Sequence, residues 1–230
     1  MTLGDALGVT AAGVIAGVDL VTVPQAMVGR PLVAAFVGGW LAGSPAHGLL
    51  LGVVLELLAF ETLPVGASRY PDFGPPAVAA GFLFAPDRLQ AVPFWPSLLG
   101  AVLVAAVVAW LGGFALDIVH RANGAALRRL EAAVDSGDPR ALIRLQAGGF
   151  VRDAGRAAAL TLLALGPGGV VVAVVAHGWR APAGLAEDAV LIATAGVAAA
   201  SAWRLFGRGR TGRWLFGGAV IGLALALGLP

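Results

Sequence analysis

Five ionisable side chains sit inside or just beside apolar sequence, at Asp19, Arg30, Glu56, Glu61 and Asp72. A carboxylate or guanidinium at the centre of a bilayer helix costs about 2.5–3.5 kcal/mol on insertion scales, so each must face a partner or a cavity. Glu56 is the sharpest case, because it interrupts the otherwise unbroken run Gly52–Phe60. Two chemistries suit it. It can pair with Arg30 and fix helix packing, or it can accept the protons of two adjacent hydroxyls on a neutral sugar, which a bidentate carboxylate does well. Gln25 and Arg30 precede and open an apolar segment whose first residue is Pro31, where a missing N–H costs little. Their side chains either cap that helix or line a pocket at its entrance. Asp72, in Arg69-Tyr70-Pro71-Asp72 ahead of Gly74-Pro75-Pro76, fits an Asx-type turn as well as a ligand contact.

Other chemistries lack their residues. No cysteine is present, which removes disulfides, thiolate metal sites and Cys nucleophiles. His47, His120 and His177 lie in or beside loops without the spacing of a metal cluster, so they read as interface histidines, and no metal or cofactor is expected. Gly166-Pro167-Gly168-Gly169 lacks the Lys and Ser/Thr of a phosphate-cradling loop and reads as a helix kink. The six Trp fall mostly near the ends of apolar runs, as an interfacial aromatic belt does.

The elements that must position these residues divide the chain in two. In the second half, Ser97–Leu116, Ala157–Ala176, Ala189–Trp203 and Trp214–Leu229 are apolar runs. Between the first two lies the polar stretch Asp117–Arg156, with seven Arg against five acidic residues, and Arg204, Arg208, Arg210 and Arg213 link the last two. The positive-inside bias places both basic segments in the cytoplasm, and the two spans between them make the assignments agree. Residues 87–96, 180–188 and the C-terminus are then external. Within the polar stretch, Arg121–Val134 and a segment from Arg140 read as two amphipathic helices lying along the cytoplasmic surface, separated by Ser136-Gly137-Asp138-Pro139.

The first half is built differently. Thr2–Val23 is long enough to span, and without a basic n-region it reads as mature protein rather than a signal peptide. Pro31–Gly43 and Gly48–Phe60 are too short to cross about 30 Å of hydrocarbon upright. They are broken by Gly43-Ser44-Pro45 and Pro64-Val65-Gly66. Paired short, Gly/Pro-interrupted segments are how transporters build a site from half-helices near the midplane, where non-helical backbone survives only against protein or a water-filled cavity.

Composition sets the environment. Hydrophobic residues make up 59% of the 230 and charged residues 12%, half of what a soluble domain uses to cover its surface. The net charge of +2 comes from Arg alone, dispersed between apolar runs rather than on one face, which argues against nucleic acid. The expected fold is all-α: a polytopic integral membrane protein with full transmembrane helices plus broken or re-entrant half-helices in its N-terminal half. It forms one membrane domain over 1–230, with a substrate-site half at 1–85, a cytoplasmic segment at 117–156 and C-terminal spans at 157–230.

The order Gln25-Ala-Met-Val-Gly-Arg-Pro-Leu-Val33, glycines at 38, 39, 43, 48 and 52, Leu55-Glu56, Leu63-Pro-Val-Gly-Ala67 and Pro71-Asp72 resembles the IIC subunit of the mannose/fructose/sorbose/N-acetylgalactosamine branch of the sugar phosphotransferase system. His120-Arg-Ala-Asn123, Gly137-Asp138 and Gln146 resemble that family's polar segment less specifically. Ser44 stands where many members have Asp, and Glu61 where they have Gly.

The resemblance implies a sugar-translocating subunit of the bacterial inner membrane, paired with a IID membrane protein in a larger oligomer. Soluble IIA and IIB partners would carry phosphate to a hexose or amino sugar, leaving no catalytic residue on this chain. Substrate contacts would fall to Glu56, Gln25 and Asp72, with Arg30 and Glu61 in the same cavity. The competing reading is a non-transporting assembly or sensory subunit that docks soluble partners through its basic cytoplasmic stretch, in which Glu56 touches only protein. A membrane enzyme would want a metal or phosphate cluster at one interface, and the sequence offers none.

Overall fold

Thr2 starts the first helix with a capping box: its Oγ1 accepts from the Asp5 N–H at 3.1 Å and the Asp5 carboxylate accepts from the Thr2 N–H at 2.8 Å. The resulting helix α1 runs Leu3–Val18 and ends where Asp19 turns its carboxylate onto the following loop. At 1.5 Å per residue its 16 residues reach about 24 Å, so the full span expected over Thr2–Val23 is instead a shorter apolar helix. The computed structural model describes residues 1–230 except 20, 21, 23–25, 61, 63–68, 87–92, 208, 209 and 227–230.

The broken hairpin is present. Helices α2 (Pro31–Leu41) and α3 (Pro45–Leu58) each begin on a proline at N1 and are joined by Ala42–Ser44, with Gly43 at φ +77°. That left-handed conformation is one glycine adopts without penalty, and it lets the Ser44 N–H donate back to the Gly39 carbonyl at 2.8 Å. The two helices then close on each other because neither has a side chain at the crossing. A Cβ on Gly39 would lie 2.6 Å from the Gly48 Cα, and one on Gly48 would lie 2.4 Å from the Ala35 carbonyl oxygen.

On its other side α2 packs against α4 (Gly74–Leu83), with Gly38 against Val78 and Gly81 against Ala35. Residues Gly74 through Phe82 are all buried, so α4 is the axis of the fold rather than a surface element. Its sequence, Gly-Pro-Pro-Ala-Val-Ala-Ala-Gly-Phe-Leu, has no polar face, as a helix surrounded by protein should not. Around it gather Ala34, Leu51, Leu55, Leu98, Ala105 and Leu160, drawn from four other helices.

The second half supplies the long helices. α5 (Phe94–Asp135) is unbroken over 42 residues, about 63 Å, and returns through Gly137 at φ +77° into α6 (Pro139–Leu165), whose N-cap Asp138 accepts from the Arg140 N–H at 2.9 Å. The surface-lying helices expected over Arg121–Val134 and from Arg140 are therefore parts of α5 and α6, each unbroken from its apolar run. Nothing in Asp117–Asp135 breaks a helix strongly, since Ala, Leu, Arg and Glu dominate it. Twice the hydrocarbon thickness, α5 has to leave the bilayer. Gly166 and Pro167 interrupt the return arm, as the kink reading required, and α7 (Pro167–Gly178) continues it. Then come α8 (Ala183–Phe206) and α9 (Arg210–Ala226). Among the described residues three stretches, Phe94–Asp135, Pro139–Gly178 and Gly184–Phe206, are long and apolar enough to cross a membrane.

Candidate functional site

Two ion clusters meet at the loop between α1 and α2. In the first, Arg30, extended immediately before α2, reaches Glu56 near the end of α3. Its Nε donates to Glu56 Oε1 at 2.8 Å, its Nη2 donates to the same oxygen, and the Leu32 N–H in the first turn of α2 donates to Oε2 at 3.1 Å. The carboxylate is thus held at a helix N-terminus, where both the free N–H groups and the helix dipole favour negative charge. The pair is not sealed off: the two side chains remain 31% and 25% exposed. Of the five N–H groups of a guanidinium, two are committed to Glu56, and Oε2 holds one hydrogen bond where it can accept two. Opposite charges cancel here while donors and acceptors stay within reach.

In the second cluster, Arg156 on α6 lies between two carboxylates. It pairs with Asp72 ahead of α4, with Asp153 one turn back at 2.7 Å, and with the Gly17 carbonyl at 3.3 Å. Thr22 donates to the other Asp153 oxygen, and the Gly74 N–H donates to Asp72 at 3.3 Å. The side chains of Asp72, Asp153 and Arg156 are no more than 3% exposed. Burial at that level is tolerable because every buried polar side-chain atom among the described residues has a partner. The backbone of Asp72 is pinned too, its N–H donating to the Ala109 carbonyl of α5 at 2.9 Å.

The loop joining the clusters is itself clamped. Asp19 accepts from the Ala26 N–H at 2.8 Å and the Gly29 N–H at 3.0 Å, and between them Met27 is held at φ +64°. A bulky residue in that region costs on the order of 1–3 kcal/mol and persists where its surroundings over-determine it. Gly29 has no room for a side chain, since a Cβ would lie 2.5 Å from the Ala16 carbonyl. Gly74 packs onto the Gly29 carbonyl, so Asp72, Gly74, Gly29 and Arg30 form a continuous connection from α6 to the Glu56 pair.

Of the residues singled out from sequence, Arg30 and Glu56 are therefore brought together at a half-open position. Asp72 is placed in the buried network, 0% exposed, with its turn role realised through Gly74. Gln25 and Glu61 lie outside the described residues. Asp153, Arg156 and Thr22 are not among the residues the sequence singles out. The available signal was Asp153-x-x-Arg156 directly ahead of an apolar run, an i,i+3 pair with no reason to sit at the head of a span unless it faces inward. His47 lies against Phe84 at 5.5 Å and Phe94 at 6.0 Å and shares a hydrogen bond with Ser44 Oγ.

Long apolar helices around a buried short helix and a broken hairpin define a multi-pass membrane protein. No match to a curated protein sequence is found. The family model for the sorbose-specific IIC component of the phosphotransferase system matches residues 4–198. The chain belongs to that family, and is a sugar-transport component of a phosphotransferase system.

Proposed function

We propose that this chain takes up a neutral hexose or amino sugar and delivers it to a partner IIB subunit for phosphorylation, acting as the conducting subunit and supplying no phosphorylated residue. The observation that supports this most is the Arg30–Glu56 pair: charge-compensated, partly exposed, and seated where two short helices begin and end. An uncharged polyhydroxyl ligand needs donors and acceptors without net charge, and this pair offers both. Glu56 and Arg30 contact the sugar directly, joined by Gln25 and Glu61 from the adjoining segments. Asp72 serves the same site by fixing α4 and the 26–30 loop through Arg156 and Gly74.

The chain works as one membrane domain, with residues 1–85 as the substrate half, 117–156 reaching the cytoplasm and 157–230 completing the spans. It assembles with a IID membrane subunit and soluble IIA and IIB phosphocarriers as a larger oligomer in a bacterial inner membrane. The competing reading, a non-transporting assembly subunit, draws on the same pair, because there Glu56 serves packing alone. Uptake and phosphorylation of radiolabelled sugar by wild type and Glu56→Gln, in cells carrying the partner subunits, separates the two.

A further inference from the structure

Between the arms of the long hairpin, next to the α1–α2 loop, lies a cavity of about 370 Å³ that the Arg30–Glu56 site does not use. Its polar lining is Thr22, Asn123 of α5, and Gln146 and Arg152 of α6. Leu127 and Phe150 form apolar walls. Among the described residues Arg152 is the one ionised lining residue, and no carboxylate pairs with it. Its neighbour Asp153 turns Oδ1 into the Arg156 network, and its Oδ2 accepts from the Thr22 hydroxyl, which leaves that hydroxyl to the cavity as an acceptor.

The guanidinium is nonetheless fixed in place. Arg152 Nη1 donates to Asn123 Oδ1, and Gly148 leaves the room: a Cβ there would lie 3.2 Å from Arg152 Nη2. With its carbonyl taken by Arg152, Asn123 keeps its amide nitrogen as a donor, and Gly149 beside it leaves room, since a Cβ there would lie 3.8 Å from Asn123 Nδ2 and 3.9 Å from Oδ1. One fixed cation and two amides, with no acidic lining residue, form a donor-rich site for an anion. The apolar walls and the Thr22 hydroxyl suit the ring of a small polyol, and the volume falls in the range of small-molecule sites.

We propose that this cavity binds a hexose monophosphate, with the phosphoryl group on Arg152, Asn123 and Gln146 and the sugar ring toward Thr22. The inference rests on the transport reading, in which a sugar phosphate is formed on this side of the protein. It assigns the chain a product-holding site distinct from the Arg30–Glu56 pair that meets the neutral sugar. Inorganic phosphate or a lipid headgroup shares the anion chemistry and lacks the ring.

The test is direct titration of the full-length chain in nanodiscs of phosphatidylcholine with mannose 6-phosphate, inorganic phosphate and mannose, followed by calorimetry or ligand-observed NMR. Saturable binding of mannose 6-phosphate, stronger than that of inorganic phosphate, is expected. Arg152→Gln weakens it by about tenfold or more, the scale of one charge-assisted hydrogen bond. Gln146→Ala, an exposed position whose loss leaves folding intact, weakens it in the same direction, while mannose binding is unchanged in both. Absence of mannose 6-phosphate binding overturns the inference, as does equal binding of inorganic phosphate or displacement by phosphatidylglycerol in mixed discs with no effect of Gln146→Ala. Sugar uptake in cells is scored separately, so loss of the product site leaves the transport reading standing and loss of uptake does not masquerade as loss of the product site.

Discussion

Arg156 and Asp72 are 84 residues apart in sequence and form an ion pair that is almost completely buried, tying the middle of α6 to the entrance of α4. Breaking such a pair from one side leaves an uncompensated charge, at a cost of about 3–5 kcal/mol. Arg156→Ala is therefore expected to lower the thermal denaturation midpoint in detergent sharply and to reduce the yield of monodisperse protein. Asp117→Asn, which removes partly exposed pairs with Arg121 and Arg69, should change stability by less than about 1 kcal/mol. Comparable effects of the two substitutions would contradict the assignment of the buried network as the structural anchor.

Close helix approach makes a second prediction. A Cβ at Gly38 would sit 2.0 Å from the Val78 carbonyl oxygen, so Gly38→Ala has to separate α2 from α4. Overpacking of this kind typically costs about 1–3 kcal/mol. At Gly155, mid-helix in α6, a Cβ meets nothing within 4 Å, and Gly155→Ala should stabilise by roughly 1 kcal/mol through helix propensity. Thermal denaturation of the two variants, measured side by side in one detergent, gives shifts of opposite sign.

Met27 offers a test of the loop. Its positive φ is enforced by the hydrogen bonds from Ala26 and Gly29 to Asp19. Met27→Gly should be tolerated or stabilising, whereas Met27→Val, β-branched in the same conformation, should destabilise by about 1–3 kcal/mol. Equal behaviour of the two would mean the loop relaxes instead of holding Met27 in place.

Topology can be read by labelling, since the chain contains no cysteine of its own. Ser136 is exposed at the tip of the long hairpin and Gly178 at the end of α7. Ser136→Cys should react with a membrane-impermeant maleimide only once the cytoplasmic face is opened, and Gly178→Cys in intact cells. The reverse pattern would invert the orientation inferred from the arginine-rich segments.

These predictions also mark what the sequence makes legible. The broken hairpin is readable because Gly43-Ser44-Pro45 encodes a helix stop and the next start within three residues, and the glycines flanking it forecast the close crossing. Glu56 and Arg30 stand out because charge in apolar sequence has to be answered. The long α5 was harder to see, because a change from apolar to amphipathic composition looks like a boundary although nothing in it ends a helix. Least legible was the Asp72–Arg156–Asp153 network: its members belong to different segments, and which carboxylate meets which guanidinium depends on how α4 is buried. α4 itself lacks any periodic signal, since a helix packed on all sides has no polar face to supply one.

Glu56 carries the proposed substrate role. The most direct measurement is uptake and phosphorylation of radiolabelled mannose, fructose, sorbose and amino sugars in cells expressing this chain with its partner subunits, wild type against Glu56→Gln. Gln keeps the shape but loses the charge-assisted bonds to Arg30, so sugar phosphate accumulation is expected to fall by at least about tenfold while the assembled complex persists. Unchanged accumulation in the variant would contradict a substrate role for Glu56, and no uptake of any sugar by a correctly assembled wild-type complex would contradict the transport reading itself.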